Sequence, residues 1–224
     1  MSTTLKTWHP DVAFGGGKVG ADEVDFYHVY NVFYPSINAT CVATMKAIAT
    51  GSALVENTQG VMDYPRNLVV TCAGGTSSGT YGGTVVINGL NQFGDVIQET
   101  FSIATAVNGG TAVGTKVFAK FTSGTATLGG DTAVATCNVG FGTAGTTTLF
   151  GLPFKVGGTA DLLNLGWASA SAAQMIKSDA LGSYVSTAQH AILARTDFGT
   201  ASGFTAWLKS TKNQSEDTTS VVGR

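Results

Sequence analysis

Short segments in which apolar and polar residues alternate, separated by Gly, Ser, Asn and Thr, make up most of the sequence from residue 36 onward. In 67–73 and 133–141 every second residue inside the segment is apolar or cysteine, which is the pattern of a strand with one buried face. Such strands recur at intervals of about ten residues, as in antiparallel sandwiches and jelly rolls. The sequence therefore predicts an all-β fold, an antiparallel, jelly-roll-like β-sandwich, over residues 36–208.

The clearest pair of predicted strands lies on either side of residues 91–95. Residues 84–90 and 96–103 both alternate, and the segment between them has the length of a hairpin loop. Gly94 in that segment is able to adopt a positive φ without steric cost. We therefore expect a β-hairpin here.

Glu99 shares the apolar face of the second hairpin strand with Ile97 and Phe101. A carboxylate at such a position either pairs with a cation on a neighbouring strand, here Lys116 or Lys120, or marks a sheet edge, where a charge discourages aggregation. We favour the edge interpretation.

The first 35 residues contain many aromatic side chains but follow neither a helical nor an alternating period. The aromatic residues are Trp8, Phe14, Phe26, Tyr27, Tyr30, Phe33 and Tyr34. With a glycine triplet at 15–17, this composition predicts an extended N-terminal arm over 1–35. The arm either packs on its own domain or forms an interface with another protein, because aromatic residues bury large areas at small entropic cost. Residues 209–224 are polar and are predicted to form a C-terminal tail.

Charged residues make up only 12% of the chain, with 12 Lys and Arg against 14 Asp and Glu. Binding to nucleic acid or to an anionic membrane requires clustered cations, and the basic residues here are scattered. The N-terminal residues lack the apolar core of a secretory signal, and no apolar run reaches the roughly 18 residues that span a bilayer. The composition predicts a protein that is made in the cytoplasm and binds neither nucleic acid nor membrane.

The three cysteines, Cys41, Cys72 and Cys137, are widely spaced and form no Cys-x-x-Cys pair. Neither a disulfide framework nor a zinc site is expected from an odd number at such spacing. Because Cys72 and Cys137 lie among apolar neighbours in alternating segments, we interpret all three thiols as reduced core residues.

Motifs that resemble catalytic or binding sequences lack the context that such chemistry requires. Residues 75–79 match Gly-x-Ser-x-Gly and 140–145 match a dinucleotide fingerprint, but neither precedes a helical pattern. Candidate metal ligands follow no known ligand spacing, and His190 stands alone. The candidates are His9, Asp11, Asp22, Glu23, Asp25 and His28. We therefore predict no catalytic residue, no cofactor and no metal site, and a protein that is not an enzyme.

Four short motifs follow one another along the chain. Pro-Arg-Asn at 65–67 precedes a hairpin that runs from Gly-Thr-Val at 83–85 to Glu-Thr at 99–100. Gly-Thr-Lys-Val-Phe at 114–118 and Gly-Leu-Pro-Phe at 151–154 come next. In their order and spacing, these motifs resemble a group of virion structural proteins of tailed bacteriophages, and the resemblance covers roughly residues 38–185.

The resemblance implies a non-enzymatic head decoration (cement) protein at the capsid surface of the virion, synthesised in the host cytoplasm. Its partner would be the major capsid protein, with self-association as a dimer or trimer. Two alternatives stay open: a neck or tail structural protein, and a carbohydrate-binding β-sandwich of a receptor-binding tip. For the last, Tyr81 and Phe93 are the loop aromatics that would stack on sugars. The arm and the tail lie outside the resemblance.

Overall fold

The computed structural model describes residues 25–33, 38–45, 52–53, 55–56, 61–74, 80–107, 109–130, 135–141, 148–168, 173–176, 183–194 and 203–211. The strands are β1 (Asp25–Phe33), β2 (Asn38–Met45), β3 (Ser52–Ala53), β4 (Val55–Glu56), β5 (Val61–Arg66), β6 (Val69–Gly74), β7 (Thr80–Leu90), β8 (Val96–Val107), β9 (Gly109–Val113), β10 (Phe118–Gly130), β11 (Ala135–Phe141), β12 (Thr148–Gly151), β13 (Leu162–Ala168), β14 (Ala173–Ile176), β15 (Val185–Ser186), β16 (Ala191–Ala194) and β17 (Gly203–Thr211). A 3-10 turn at Thr159–Asp161 precedes β13. Within these ranges, no helix has the length and apolar character needed to cross a membrane.

The chain divides into two compact units. The central unit, 35–151 with 194–196, contains β2 to β12. The terminal unit, 1–34 with 152–193 and 197–224, contains β1, β13 to β15, β17 and most of β16. These boundaries differ from the arm, sandwich and tail expected from composition, because the terminal unit combines strands from both ends of the chain.

Two sets of antiparallel strands contribute to the core of the central unit. In one set the neighbours follow the order β12-β5-β10-β7-β8, with β3 also paired to β10, and in the other β4-β2-β11-β6-β9. Both sets contribute to one buried cluster, which includes Val70 and Val139 from the second set and Ile87, Phe101 and Phe121 from the first. Burial of one face of each sheet explains the alternation in the sequence. The predicted all-β, antiparallel, sandwich-like class is therefore confirmed.

β7 and β8 form the predicted hairpin in antiparallel register. Gly94 in the turn has a φ of +87°, which a residue with a side chain rarely adopts. Asn91 closes the turn, because its Oδ1 accepts hydrogen bonds from the backbone N–H groups of Phe93 and Asp95, each at 2.9 Å. Local sequence therefore determines this element.

The sheet of the terminal unit has the strand order β1-β17-β13-β14, and β15 pairs with β16. β1 pairs with β17 along its whole length, from Asp25 opposite Thr211 to Phe33 opposite Gly203. Val32 and Leu208 are fully buried, one on each of these strands. The end segments of the described chain thus share one sheet.

Residues 25–33 of the expected arm and 209–211 of the expected tail are therefore strand residues. An alternating pattern is hard to see in 25–33 because apolar or aromatic residues occupy both sets of alternate positions, as Tyr27 and Val29 do in one set and Tyr30 and Val32 in the other. Residues 1–24, 34–35 and 212–224 lie outside the described residues.

Candidate functional site

The predicted interface aromatics fall partly within the described chain. Trp8, Phe14 and Tyr34 lie outside the described residues, whereas Phe26, Tyr27, Tyr30 and Phe33 belong to β1. Tyr30 is half-buried, and its ring centroid lies 6.2 Å from that of Phe204 on β17. The structure thus brings these four aromatic residues onto one paired strand.

The segments considered for catalysis or metal binding are also only partly described. Residues 75–79 and 142–147 lie outside the described residues, and Gly140 and Phe141 end β11. His9, Asp11, Asp22 and Glu23 lie outside as well, whereas Asp25 and His28 are on β1. In the part of the chain that the structure describes, no group of three or more His, Cys, Asp or Glu residues could hold a metal ion.

His190 makes ordinary hydrogen bonds with both its ring and its backbone. Its Nδ1 accepts a hydrogen bond from the backbone N–H of Val156 at 3.1 Å, and its backbone carbonyl accepts one from Leu152 N–H at 2.8 Å. These bonds fix the segment that follows β12 in the terminal unit.

The four motifs of the resemblance meet inside the central unit. We use the name motif junction for the residues Arg66, Asn67, Glu99, Gly114, Thr115, Lys116 and Gly151, which come from all four motifs.

Asn67, from the Pro-Arg-Asn motif, connects two distant segments. Its side chain is only 3% exposed, and its Nδ2 donates a hydrogen bond to the carbonyl of Gly114 at 2.7 Å. Its Oδ1 accepts a hydrogen bond from Leu149 N–H at 2.9 Å. A buried amide whose two ends are both bonded fixes the position of its partners. Asn67 thus holds the start of the Gly-Thr-Lys segment and the start of β12.

The carboxylate of Glu99 is bound by the Gly-Thr-Lys segment. Its Oε1 accepts hydrogen bonds from the N–H and the hydroxyl of Thr115, at 2.6 Å and 3.0 Å, and from Lys116 N–H at 3.3 Å. The ammonium group of Lys116 instead donates to the backbone carbonyl of Gln98 at 2.7 Å. Within the described residues no ion pair joins Glu99 to Lys116 or Lys120, so that alternative is wrong, while β8 ends its strand order, as the edge interpretation predicts.

Arg66 is a charged residue with 1% exposure, stacked on aromatic rings. Its Cζ lies 3.6 Å from the ring centroid of Phe141 and 5.9 Å from that of Phe150. Its Nη2 lies 2.9 Å from Asp63 Oδ1. The ion pair and the two rings together compensate for the loss of water around the guanidinium group.

Gly151, which begins the Gly-Leu-Pro-Phe motif, lies where three other segments approach closely. A Cβ atom at this position would lie 2.6 Å from Val117 Cγ1, 3.1 Å from Pro65 Cβ and 3.2 Å from Gln92 Cδ. Only glycine fits without displacement of these neighbours. The close approach therefore links the fourth motif to the first and third motifs and to the hairpin turn.

The sequence alone does not mark these residues as one site, because nothing in the Pro-Arg-Asn motif itself indicates which segments Arg66 and Asn67 contact. A usable signal was nonetheless present. Two strongly polar residues stand between Pro65 and the apolar run 68–70, and buried polar groups persist only with bonded partners.

The outward faces of β10, β7 and β8 form a second candidate surface, which we call the outer face. Its cross-strand rows are Lys120-Leu90-Val96, Ser123-Asn88-Gln98, Thr125-Val86-Thr100 and Thr127-Thr84-Ser102. All of these residues are exposed or half-buried, and Val96 is 82% exposed. Asn88 bonds to Ser123 at 3.2 Å and to Gln98 at 2.8 Å. Lys120 apart, the outer face consists of uncharged hydroxyl, amide and aliphatic groups.

No protein-family model matches the chain, and neither a curated protein nor a solved structure matches it. Function is therefore inferred from the residues themselves. Within the described central unit, the motif junction includes the buried polar residues Arg66, Asn67 and Glu99, and the outer face is an exposed surface with little charge.

Proposed function

We propose that the protein is a non-enzymatic structural component of a tailed-bacteriophage virion, a decoration or cement protein that binds the assembled shell of major capsid protein. The motif junction is the observation that carries this proposal. Asn67 bonds to Gly114, and Glu99 bonds to Thr115. Chance matches in a sequence rich in Gly and Thr would not be expected to converge on one packed site. The convergence supports the resemblance on which the proposal depends.

The contacts of the motif junction suit a subunit that must stay soluble until it meets its shell. An open edge strand invites pairing with other chains, and β8 is the last strand in its order. The ammonium group of Lys116 donates a hydrogen bond to the backbone carbonyl of Gln98 on β8. The Glu99 carboxylate, also on β8, accepts one from the backbone N–H of Thr115. The Gly-Thr-Lys segment thus covers part of the edge of β8.

We assign docking on the shell to the outer face. Val86, Leu90 and Val96 provide apolar area among hydroxyl and amide groups, which is the composition of an interface core with a polar rim. A ligand that binds only the intact lattice stabilises that lattice by mass action, so a modest contact repeated over the shell is sufficient. The aromatic strand β1 is the candidate surface for self-association as a dimer or trimer.

Rebinding to particles tests this assignment. Particles assembled without the protein would be mixed with purified protein and sedimented, and the bound fraction would be measured. We expect Val96→Asp to weaken retention roughly tenfold or more, because it buries a charge at the contact. The matched control is Val113→Asp, also at an exposed valine of the central unit, which should bind like the parent.

Two outcomes would count against the proposal. Parent protein that does not bind the shell at all would overturn the decoration role. Equal binding of Val96→Asp and Val113→Asp would remove the outer face as the docking surface. Unchanged melting temperatures of both variants would show that any difference arises from binding.

Copy number separates the shell from the other locations in the particle. A lattice protein should be present in on the order of hundreds of copies, whereas a neck or tail ring holds about six or twelve. Quantitative mass spectrometry of purified particles provides this number. For the carbohydrate alternative, Phe93 lies in the β7–β8 turn and Tyr81 lies within β7. Loss of host-cell adsorption in Phe93→Ala would favour that alternative.

Truncation tests the contribution of the N-terminal arm. Deletion of residues 1–24 retains β1, whereas deletion of 1–35 removes the strand that pairs with β17 along its whole length. We expect the longer deletion to lower the melting temperature. The shorter deletion tests retention on particles without that loss of structure.

A further inference from the structure

Cys72 on β6 and Cys137 on β11 lie directly opposite each other in the antiparallel register. Both are free thiols, with exposures of 2% and 0%, and both belong to the buried hydrophobic cluster of the central unit. Opposite residues on antiparallel strands have Cα atoms about 4.5–5.5 Å apart, which falls within the roughly 4.4–6.8 Å that a disulfide requires. The backbone therefore already has the spacing of a cystine bridge.

We propose that Cys72 and Cys137 form a latent cross-strand disulfide site, which a low-molecular-weight disulfide such as oxidised glutathione converts into a bridge between β6 and β11. The inference does not depend on the proposed function. Reducing compartments keep such a pair as thiols, and oxidising surroundings favour the bridge. The bridge would fasten two neighbouring strands of the β4-β2-β11-β6-β9 set.

The reaction is two successive thiol–disulfide exchanges. The Cys72 thiolate attacks one sulfur of oxidised glutathione, which forms a mixed disulfide and releases one glutathione thiolate. The Cys137 thiolate then attacks the Cys72 sulfur and releases the second glutathione. The protein gives up two electrons and two protons, and these convert one oxidised glutathione into two thiols.

The environment of the pair decides which thiol reacts first. Hydrogen bonding with Cys137 lowers the pKa of Cys72, whereas hydrogen bonding with Cys72 and burial both raise the pKa of Cys137. Because the thiolate is the nucleophile, Cys72 is the attacking residue. Both sulfurs are buried, so the oxidant reaches them only after local opening of the strands. The reaction should therefore be slow in the native protein and faster in urea below the unfolding transition.

The experiment uses the full chain, purified in reduced form and incubated with oxidised glutathione at a pH of about 8, near the ordinary pKa of a thiol. Peptide mapping should find residues 72 and 137 linked, and the chain should lose about 2 Da. The melting temperature should rise by roughly 5–10 °C and return to its starting value with dithiothreitol.

Matched variants separate this site from the third cysteine. Cys41→Ala should respond as the parent does, whereas Cys72→Ala should show no rise in melting temperature. A bridge to Cys41, stable glutathione adducts on Cys72 or Cys137 without a bridge, or no reaction at any urea concentration would overturn the proposal. Peptide mapping of the unmutated chain keeps the test valid if a variant fails to fold.

Discussion

The two units hold their loops in place with different chemistry. In the central unit, Asn67 and Glu99 bind backbone groups of segments that are far away in sequence. The Asn67 amide has no charge to gain or lose, so its contacts depend on the shape and polarity of the side chain.

In the terminal unit, imidazole rings contact the segment that follows β12. His190 accepts a hydrogen bond from Val156, and His28 stacks on Phe154 with ring centroids 4.3 Å apart. Burial lowers the pKa of the His28 imidazole from its ordinary 6.5. The comparison teaches that the stability of the central unit should depend mainly on the side chains at motif positions, whereas the stability of the terminal unit should depend on pH.

The largest effect is expected from Asn67→Leu. The substitution leaves the carbonyl of Gly114 and the N–H of Leu149 without their side-chain partner in a buried site. Each unsatisfied buried group costs on the order of 1–3 kcal/mol, so we expect the free energy of unfolding to fall by about 3 kcal/mol. Urea unfolding of the full chain measures this change.

Asn88→Leu is the matched control for Asn67→Leu. Asn88 also has two side-chain hydrogen bonds, but they join polar side chains on the outer face. Water can replace them, so the change should stay within about 0.5 kcal/mol. Equal effects of the two substitutions would break the comparison, because burial of the motif junction would then not matter.

Gly151→Ala should lower the free energy of unfolding by about 2 kcal/mol, a smaller loss than that of Asn67→Leu. The added methyl group would contact Val117 and Pro65 in a packed site. Gly110→Ala is the control. A Cβ atom there would find its nearest neighbours at 3.4 Å, an ordinary contact. If Gly110→Ala were the more destabilising of the two in the same urea experiment, the close approach of the motifs at Gly151 would be refuted.

Glu99→Gln should lower the free energy of unfolding by about 1 kcal/mol. The neutral amide oxygen can still accept the hydrogen bond from Thr115, but a charge-assisted hydrogen bond is roughly twice as strong as a neutral one. Asp95→Asn, at an exposed carboxylate of the hairpin turn, should have almost no effect on urea unfolding. A larger loss in Asp95→Asn would show that the turn, and not the motif junction, holds β8.

Elements that are determined by neighbouring residues could be predicted from the sequence. The candidate site could not, because its contacts join residues that are far apart in the chain. The hairpin follows from alternation and from Asn91 and Gly94 in its turn, and the burial of Cys72 and Cys137 follows from the period of two. That the two thiols lie opposite each other depends on strand register, which no local pattern fixes. The Asn67 contacts span 47 and 82 residues, so only the folded chain brings them together.

The smallest effect, and the one that tests the terminal unit, is the pH dependence due to His28. Burial lowers the pKa of His28 from its ordinary 6.5, so the folded state binds the proton less well than the unfolded state does. The contribution of His28 to the free energy of unfolding has its full value above pH 6.5, where the ring is neutral in both states. It decreases as the pH falls below 6.5 and becomes constant below the pKa of the folded state. Urea unfolding between neutral and mildly acidic pH should show this decrease in the parent.

His28→Phe, which keeps a ring against Phe154, should remove this decrease in the free energy of unfolding. A parent protein that instead became more stable on acidification would show that attraction between the protonated ring and Phe154 outweighs desolvation.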